Sequence, residues 1–128
     1  MVEDRTTDGR RIAELLASEL DGREDGVLEA VSVTNADRDV EPSADGARAY
    51  DAVTENREEP FARAFVHPER AHLEFERGQD VAADAATEAE LRVRPKATTP
   101  PKTLVFVESG AEVKRATDVI QAVVRADP

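Results

Sequence analysis

The chain has 128 residues, the size of a single domain, and at this length a compact fold buries roughly two-thirds of the surface of the unfolded chain. It lacks cysteine, which excludes disulfides, thiolate metal sites and cysteine nucleophiles. Its 28 acidic and 17 basic residues give a net charge of −11. Since no apolar run approaches the ~20 residues that cross a bilayer, we expect a cytoplasmic protein without membrane contact.

The N-terminal part of the chain predicts one helix followed by a strand. Residues 1–7 are polar and acidic, and we expect them to form a disordered leader. Asp8 can cap a helix that runs to about Leu20 and is stopped by Gly22. The apolar face of this helix consists of Ile12, Leu15, Leu16 and Leu20. Alternating residues then predict a strand over 27–34.

Alternation predicts three further strands in the middle of the chain, separated by turns or polar loops. The strands cover 47–54, 61–67 and the segment that contains Ala71, Leu73 and Phe75. The connections are a long polar loop over 35–46, a hairpin connection over 55–60 and a turn at Pro68.

The last third begins with a segment whose structure the sequence leaves open. Residues 80–90 are alanine-rich and acidic, and they fit a short helix and a mobile loop equally well. A short strand over 91–94 and a proline-rich connector over 95–101 are predicted next. The most apolar run of the chain, 104–107, predicts a strand that is buried on both faces.

A final helix is predicted at the C-terminus. Ser109 and Glu112 have the spacing of a capping box that would start it. Its apolar face would consist of Val113, Ala116, Ile120, Val123 and Val124. Hairpin-like spacing between two terminal helices predicts a single domain over 1–128 with an α+β fold. We expect a mostly antiparallel sheet of five to six strands, with the N- and C-terminal helices packed on one face.

The charge of the chain is distributed unevenly. Residues 1–90 hold 24 acidic and 10 basic residues, whereas residues 91–126 hold seven basic and three acidic ones. The strong acidity, together with 14 arginines against three lysines, resembles the small, acidic, uncharacterised proteins of halophilic archaea. That resemblance implies a cytoplasm with molar salt, where a Debye length of ~3 Å screens the repulsion between surface carboxylates.

Four basic residues form a candidate site for an anion or a partner: Arg92, Arg94, Lys96 and Lys102. If the chain stays extended through Pro95, the first three project from one face. They can then meet phosphate or an acidic partner. Alternatively, the two arginines pair internally with glutamates at positions 74, 76 or 90 on neighbouring strands. The segment contains no aromatic residue, which argues against the stacking of nucleic-acid bases.

The two histidines of the chain, His67 and His72, would approach each other if their strands form a hairpin. Three glutamates lie close to them in sequence, as in some metal sites, but the spacing matches no metal motif. We therefore expect a pair of surface histidines, and we predict no metal ligand.

The acidic loop that begins at Asn35 has oxygen ligands at alternating positions, as a calcium-binding loop does. It lacks the glycine and the glutamate that an EF-hand loop requires.

The sequence shows no nucleophile motif and no cofactor motif, so we predict no catalytic residue and no cofactor. The leading hypothesis is a non-enzymatic binding or assembly module that contacts a protein partner or a second copy of itself. An alternative is contact with an anion or nucleic acid through the four basic residues. A third hypothesis is a small enzyme of unrecognised type, whose site would contain His67 or His72.

Overall fold

The computed structural model describes residues 6–21, 30–55 and 58–126. Within these ranges the chain forms three α-helices and six β-strands. The helices are α1 (Gly9–Asp21), α2 (Gln79–Glu88) and α3 (Val113–Ala126), the last preceded by a 3-10 turn at Gly110–Glu112. The strands are β1 (Val31–Thr34), β2 (Ala47–Thr54), β3 (Ala62–Val66), β4 (Ala71–Phe75), β5 (Val93–Lys96) and β6 (Lys102–Val107).

The six strands form one open sheet in the order β1-β2-β3-β4-β6-β5, and every neighbouring pair is antiparallel. The predicted α+β fold is thereby confirmed. The sheet places β6 between β4 and β5, so the apolar run that predicted a buried strand does lie inside the sheet. The terminal helices and α2 pack on the sheet and against one another.

Alternation along β4 shows how the sheet is divided into two faces. Ala71, Leu73 and Phe75 belong to the core shared with the helices, whereas His72 and Glu74 lie on the opposite face. All five residues of β4 are buried. The core is made of small and branched side chains from α1, α3 and the inner strands, with Phe75 among its largest fully buried members.

Helix α1 begins where the sequence predicts. The side-chain Oδ1 of Asp8 accepts a hydrogen bond from the backbone N–H of Arg11 at 3.2 Å, which satisfies one of the free donors of the first turn. The Tyr50 hydroxyl donates to the carbonyl of Ala13 at 2.9 Å and ties α1 to β2. The predicted stop at Gly22 and the first residues of the predicted strand over 27–34 lie outside the described residues.

Two segments of the last third of the chain complete or correct the predicted secondary structure. The segment over 80–90, left open by the sequence, is helix α2, which buries Ala82 and Ala86. The strand predicted over 91–94 lies two residues later, at Val93–Lys96, and includes Pro95. A proline is tolerated there because β5 is an edge strand, where the missing N–H leaves no partner in the sheet unsatisfied.

The predicted capping box at the start of α3 is only half correct. The carboxylate of Glu112 does accept a backbone hydrogen bond, but from the N–H of Glu108 at 2.8 Å. The Ser109 side chain makes no capping hydrogen bond, because the chain first forms a 3-10 turn. The N–H of Gly110 donates to the carbonyl of Thr6 at 3.0 Å, so this part of the predicted leader is held against the start of the turn.

The first turn of α1 packs directly on the backbone of the turn between β3 and β4. A Cβ atom at Gly9 would lie 1.8 Å from the carbonyl oxygen of His67 and 2.5 Å from that of Arg70. In an open helix, glycine to alanine stabilises by up to about 1 kcal/mol. Here the backbone atoms cannot move aside independently, so we expect Gly9→Ala to destabilise by about 1–3 kcal/mol.

Urea unfolding of Gly9→Ala, compared with Ser18→Ala on the exposed side of the same helix, checks this expectation. Ser18→Ala should leave the free energy of unfolding within about 0.5 kcal/mol of the parent value. If the Gly9→Ala protein were as stable as the parent, the close contact between α1 and the turn that joins β3 to β4 would be disproved.

Candidate functional site

The face of the sheet that points away from the helices is covered by polar and charged side chains; we call it the open face. Its residues follow from the register of β2, β3, β4, β6 and β5. They include Asp51, Arg63, Phe65, His72, Glu74, Leu104, Phe106, Arg94, Lys96 and Lys102. The backbone N–H of Phe106 donates to the carbonyl of Arg92 at 2.9 Å, which extends the pairing to the residue before β5.

Glu74 is the central charge of the open face. Its side chain is buried, yet three groups meet its carboxylate: His72 Nε2 at 3.0 Å, Lys96 Nζ at 3.6 Å and Lys102 Nζ at 3.8 Å. Burial by itself would raise the pKa of Glu74. The hydrogen bond with His72 and the lysine charges outweigh burial, so this pKa is lowered from its ordinary value of 4.5 and Glu74 is ionised at neutral pH.

His67 and His72 continue the chain of contacts that starts at Glu74. Their rings approach at 2.7 Å between His67 Nε2 and His72 Nδ1, as predicted for histidines across a hairpin. His67 Nδ1 lies 2.9 Å from the carbonyl oxygen of Ala44. His67 and His72 are only 6% and 2% exposed, so the expectation of surface histidines is wrong.

The histidines are buried because the loop before β2 folds over them. Gly46 has a φ of +94°, a conformation that favours glycine, and a Cβ there would lie 2.9 Å from His72 Cε1 and 3.1 Å from His67 Nε2. From the other side, the ring of Phe65 stacks on His72 with centroids 4.9 Å apart. The polar loop that the sequence predicts over 35–46 therefore acts as a cover.

The hydrogen bonding of the two rings limits the chemistry that they can perform. All four ring nitrogens have a partner within 3.0 Å, so neither histidine presents a lone pair to a substrate. Within the described ranges, no group of three or more histidine, aspartate or glutamate side chains is arranged to hold a metal ion.

A second cluster surrounds Phe106. The guanidinium of Arg70 lies 4.3 Å from the centre of the Phe106 ring and 3.4 Å from the carboxylate of Glu108. Arg92 reaches the same carboxylate at 3.7 Å. A shallow cleft of about 490 Å³ lies here, bordered by His67, Arg70 and Glu108.

The four basic residues predicted as a site do lie together on the open face. Arg92 pairs with Glu108, which was not among the partners expected for the arginines. Glu74 instead pairs with the two lysines, Lys96 and Lys102. In the part of the chain that the structure describes, no carboxylate lies within ion-pairing distance of Arg94. We call Arg70 and these four residues, with Glu74 and Glu108, the basic surface.

The basic surface carries an excess of three positive charges, because five cations face two carboxylates. The rest of the chain is strongly acidic, since the net charge of the whole is −11. Outside the basic surface, the β2–β3 part of the open face is covered by another group of ion pairs, in which Asp51 contacts Arg48 and Arg63.

A separate cavity of about 470 Å³ lies between α1, β2 and the residues before Val40. Its floor is apolar and includes Ala13, Val40, Ala49 and Val66. The hydroxyl of Tyr50 also borders it but is already bonded to the backbone of α1. Polar and charged residues also line this cavity: Arg10, Glu14, Ser18, Asp21, Asp37 and Arg38.

Comparison of the sequence with known protein families assigns the chain to one of them. The family model of DUF7993, described as a family of unknown function, matches residues 1–128. The chain belongs to the DUF7993 family. Searches of curated proteins and of solved structures found no match. Among the described residues of this DUF7993 protein, none of the helices is long and apolar enough to cross a membrane.

Loss of the Glu74 carboxylate should destabilise this DUF7993 protein. Glu74→Ala leaves the buried His72 Nε2 without its partner, so we expect a cost of about 1–3 kcal/mol at neutral pH. Because the pKa of Glu74 is lowered by folding, its stabilising contribution is complete above the ordinary value of 4.5 and is lost as the pH falls through the lower folded value.

Urea unfolding of both proteins at several pH values measures this difference. Glu108→Ala is the matched control, because Glu108 is about one-third exposed and its pairs with arginine should contribute about 1 kcal/mol or less. A difference between the parent and Glu74→Ala that grows as the pH falls below 4.5 would contradict the assigned charge of Glu74.

Proposed function

We propose that this DUF7993 protein is a non-enzymatic binding module that docks an acidic surface of a partner protein on its basic surface. The observation that carries the proposal is the excess of three positive charges on one face of a protein with a net charge of −11. Opposite charge steers an acidic partner to this face and repels it from the remaining surface.

The positions of the cations support a role in recognition. Lys96 and Lys102 are held by Glu74, and Arg70 and Arg92 are held by Glu108, so four cations are oriented before a partner arrives. Side chains that are already ordered lose less conformational entropy on binding. Arg94 is exposed and offers its guanidinium to a carboxylate of the partner.

A protein partner is favoured over a nucleic acid by the state of the aromatic rings. Single-stranded nucleic acids are bound by exposed rings on which bases stack. On the basic surface Phe106 is buried under Arg70, and the neighbouring Phe65 is half-buried and stacked on His72. The Phe106 ring is therefore closed to a base, and one face of the Phe65 ring is already occupied by His72.

We place this binding in the cytoplasm of a salt-adapted cell, which the acidic composition supports. With a Debye length of ~3 Å at molar salt, charges attract a partner mainly at direct contact. An interface in that medium therefore benefits from cations that are held in fixed positions on strands. The acidic region of a second copy of the chain is one possible partner surface, and light scattering distinguishes self-association from binding of another protein.

Charge reversal on the basic surface tests the proposal. We expect Arg92→Glu with Arg94→Glu to weaken binding of a fluorescent glutamate-rich peptide at least about tenfold, since attraction becomes repulsion. The control is Lys114→Glu with Arg115→Glu, which makes the same change in net charge at exposed positions of α3. It should change binding by less than about threefold. Fluorescence anisotropy in low and in molar potassium chloride measures both.

Two further measurements decide between partners. A single-stranded oligonucleotide of the same charge should bind more weakly than the peptide, and tighter binding would favour nucleic acid instead. In cells, chemical cross-linking followed by mass spectrometry should show partner peptides joined to Lys96 or Lys102. Equal loss of peptide binding in the two charge-reversed proteins would mean that net charge alone is responsible, and the proposal would fail.

A further inference from the structure

The chain of contacts from Ala44 through His67 and His72 to Glu74 needs a fixed number of protons. The Ala44 carbonyl can only accept, so the proton of its 2.9 Å bond belongs to His67 Nδ1. The 2.7 Å bond between the rings needs a second proton, and the 3.0 Å bond between His72 and Glu74 needs a third. Two neutral histidines and a carboxylate supply only two.

The third proton therefore converts the histidine pair to a shared imidazolium or neutralises Glu74. Lys96 and Lys102 lie next to the carboxylate and favour its ionised form. The extra proton thus belongs to the two rings, where it can occupy either nitrogen of the 2.7 Å contact. In this state the rings and Glu74 together have no net charge, which suits a buried site.

We propose that Ala44, His67, His72 and Glu74 form a proton latch, which fastens the 43–46 loop to the open face when a third proton binds. With only two protons, one of the three contacts brings two lone pairs together. His72 keeps its bond to the charged carboxylate, because hydrogen bonds to ionised groups are the stronger ones. His67 must then give up either Ala44 or His72, so the loop is no longer joined to Glu74 by an unbroken chain of hydrogen bonds.

The charges around the latch come from every element packed against it. Glu74 on β4, Lys96 on β5 and Lys102 on β6 lie at one end. Glu69, Arg70 and Glu108 border the cleft at the His67 end. On the same face of β2 and β3, Arg48 and Arg63 are turned towards Asp51. The lysines oppose an imidazolium, and Glu74 favours it.

The pH at which the latch closes lies on the acid side of the ordinary imidazole value of 6.5. Burial lowers the pKa of His72, and the hydrogen bond to Glu74 offsets this lowering only in part. The latch is therefore open at neutral pH and closes as the pH falls below that value.

Two amides of the loop report on the latch. The N–H of Ser43 donates to the carbonyl of Val66 at 3.3 Å, and that of Gly46 donates to Ser43 at 3.1 Å. Hydrogen exchange of both, corrected for intrinsic rates, should slow by about fivefold from about pH 8 to about pH 5, the gain expected from one added hydrogen bond. Nitrogen-15 spectra of the His72 imidazole should change with the same midpoint.

Glu74→Gln is the decisive variant. The amide of glutamine can donate to His72 Nε2, which leaves the protons of the two neutral rings free for the other two contacts. Three protons are then present without titration, so the loop should be protected at all pH values as in the acid form of the parent. Glu88→Gln removes an exposed carboxylate at the end of α2, on the other side of the sheet, and should keep the midpoint of the parent.

His67→Leu removes both contacts of the central ring and should leave the loop weakly protected at every pH, which keeps the test decisive if Glu74→Gln does not fold. Loop protection that does not change with pH in the parent would overturn the latch. So would a Glu74→Gln protein that titrates like the parent, or a His67→Leu protein that retains the parent's response. The outcome is independent of peptide binding at the basic surface.

Discussion

The buried charge of Glu74 is the constraint on which the open face depends. A carboxylate placed in the middle of a sheet is tolerated only if opposite charge and hydrogen bonds replace water. His72 comes from the same strand, while Lys96 and Lys102 come from the two strands beyond it. One charge therefore determines which side chains β4, β5 and β6 must present, and it links the histidines to the basic surface.

Within residues 6–21, 30–55 and 58–126, the helices cover only one of the two faces of the sheet. On the helix side, apolar residues such as Leu73 and Phe75 are buried in the core. On the other side, ion pairs, stacked rings and the loop at Gly46 cover the strands instead. The cover leaves charge at the surface, so the same side chains that complete the fold are available for recognition.

The edge strand of the basic surface is also protected against pairing with a β-strand of another chain. β5 is an outer strand, and such strands can pair with other chains. Pro95 offers no N–H to an added strand, and the exposed Arg94 and Lys96 flank it. Recognition at this edge is thereby left to side chains, which agrees with a partner selected by charge.

The sequence by itself determined the α+β class, α1 and α3 with their apolar faces, and most strands, because these follow from local periodicity. It also placed Arg92, Arg94 and Lys96 on one face. Only the tertiary structure decided that His67 and His72 are buried and joined to Glu74, since this requires the 43–46 loop to fold over the sheet. The shift of β5 and the helix at 79–88 were likewise decided by pairing with β6 and by packing, which short polar or alanine-rich segments do not encode locally.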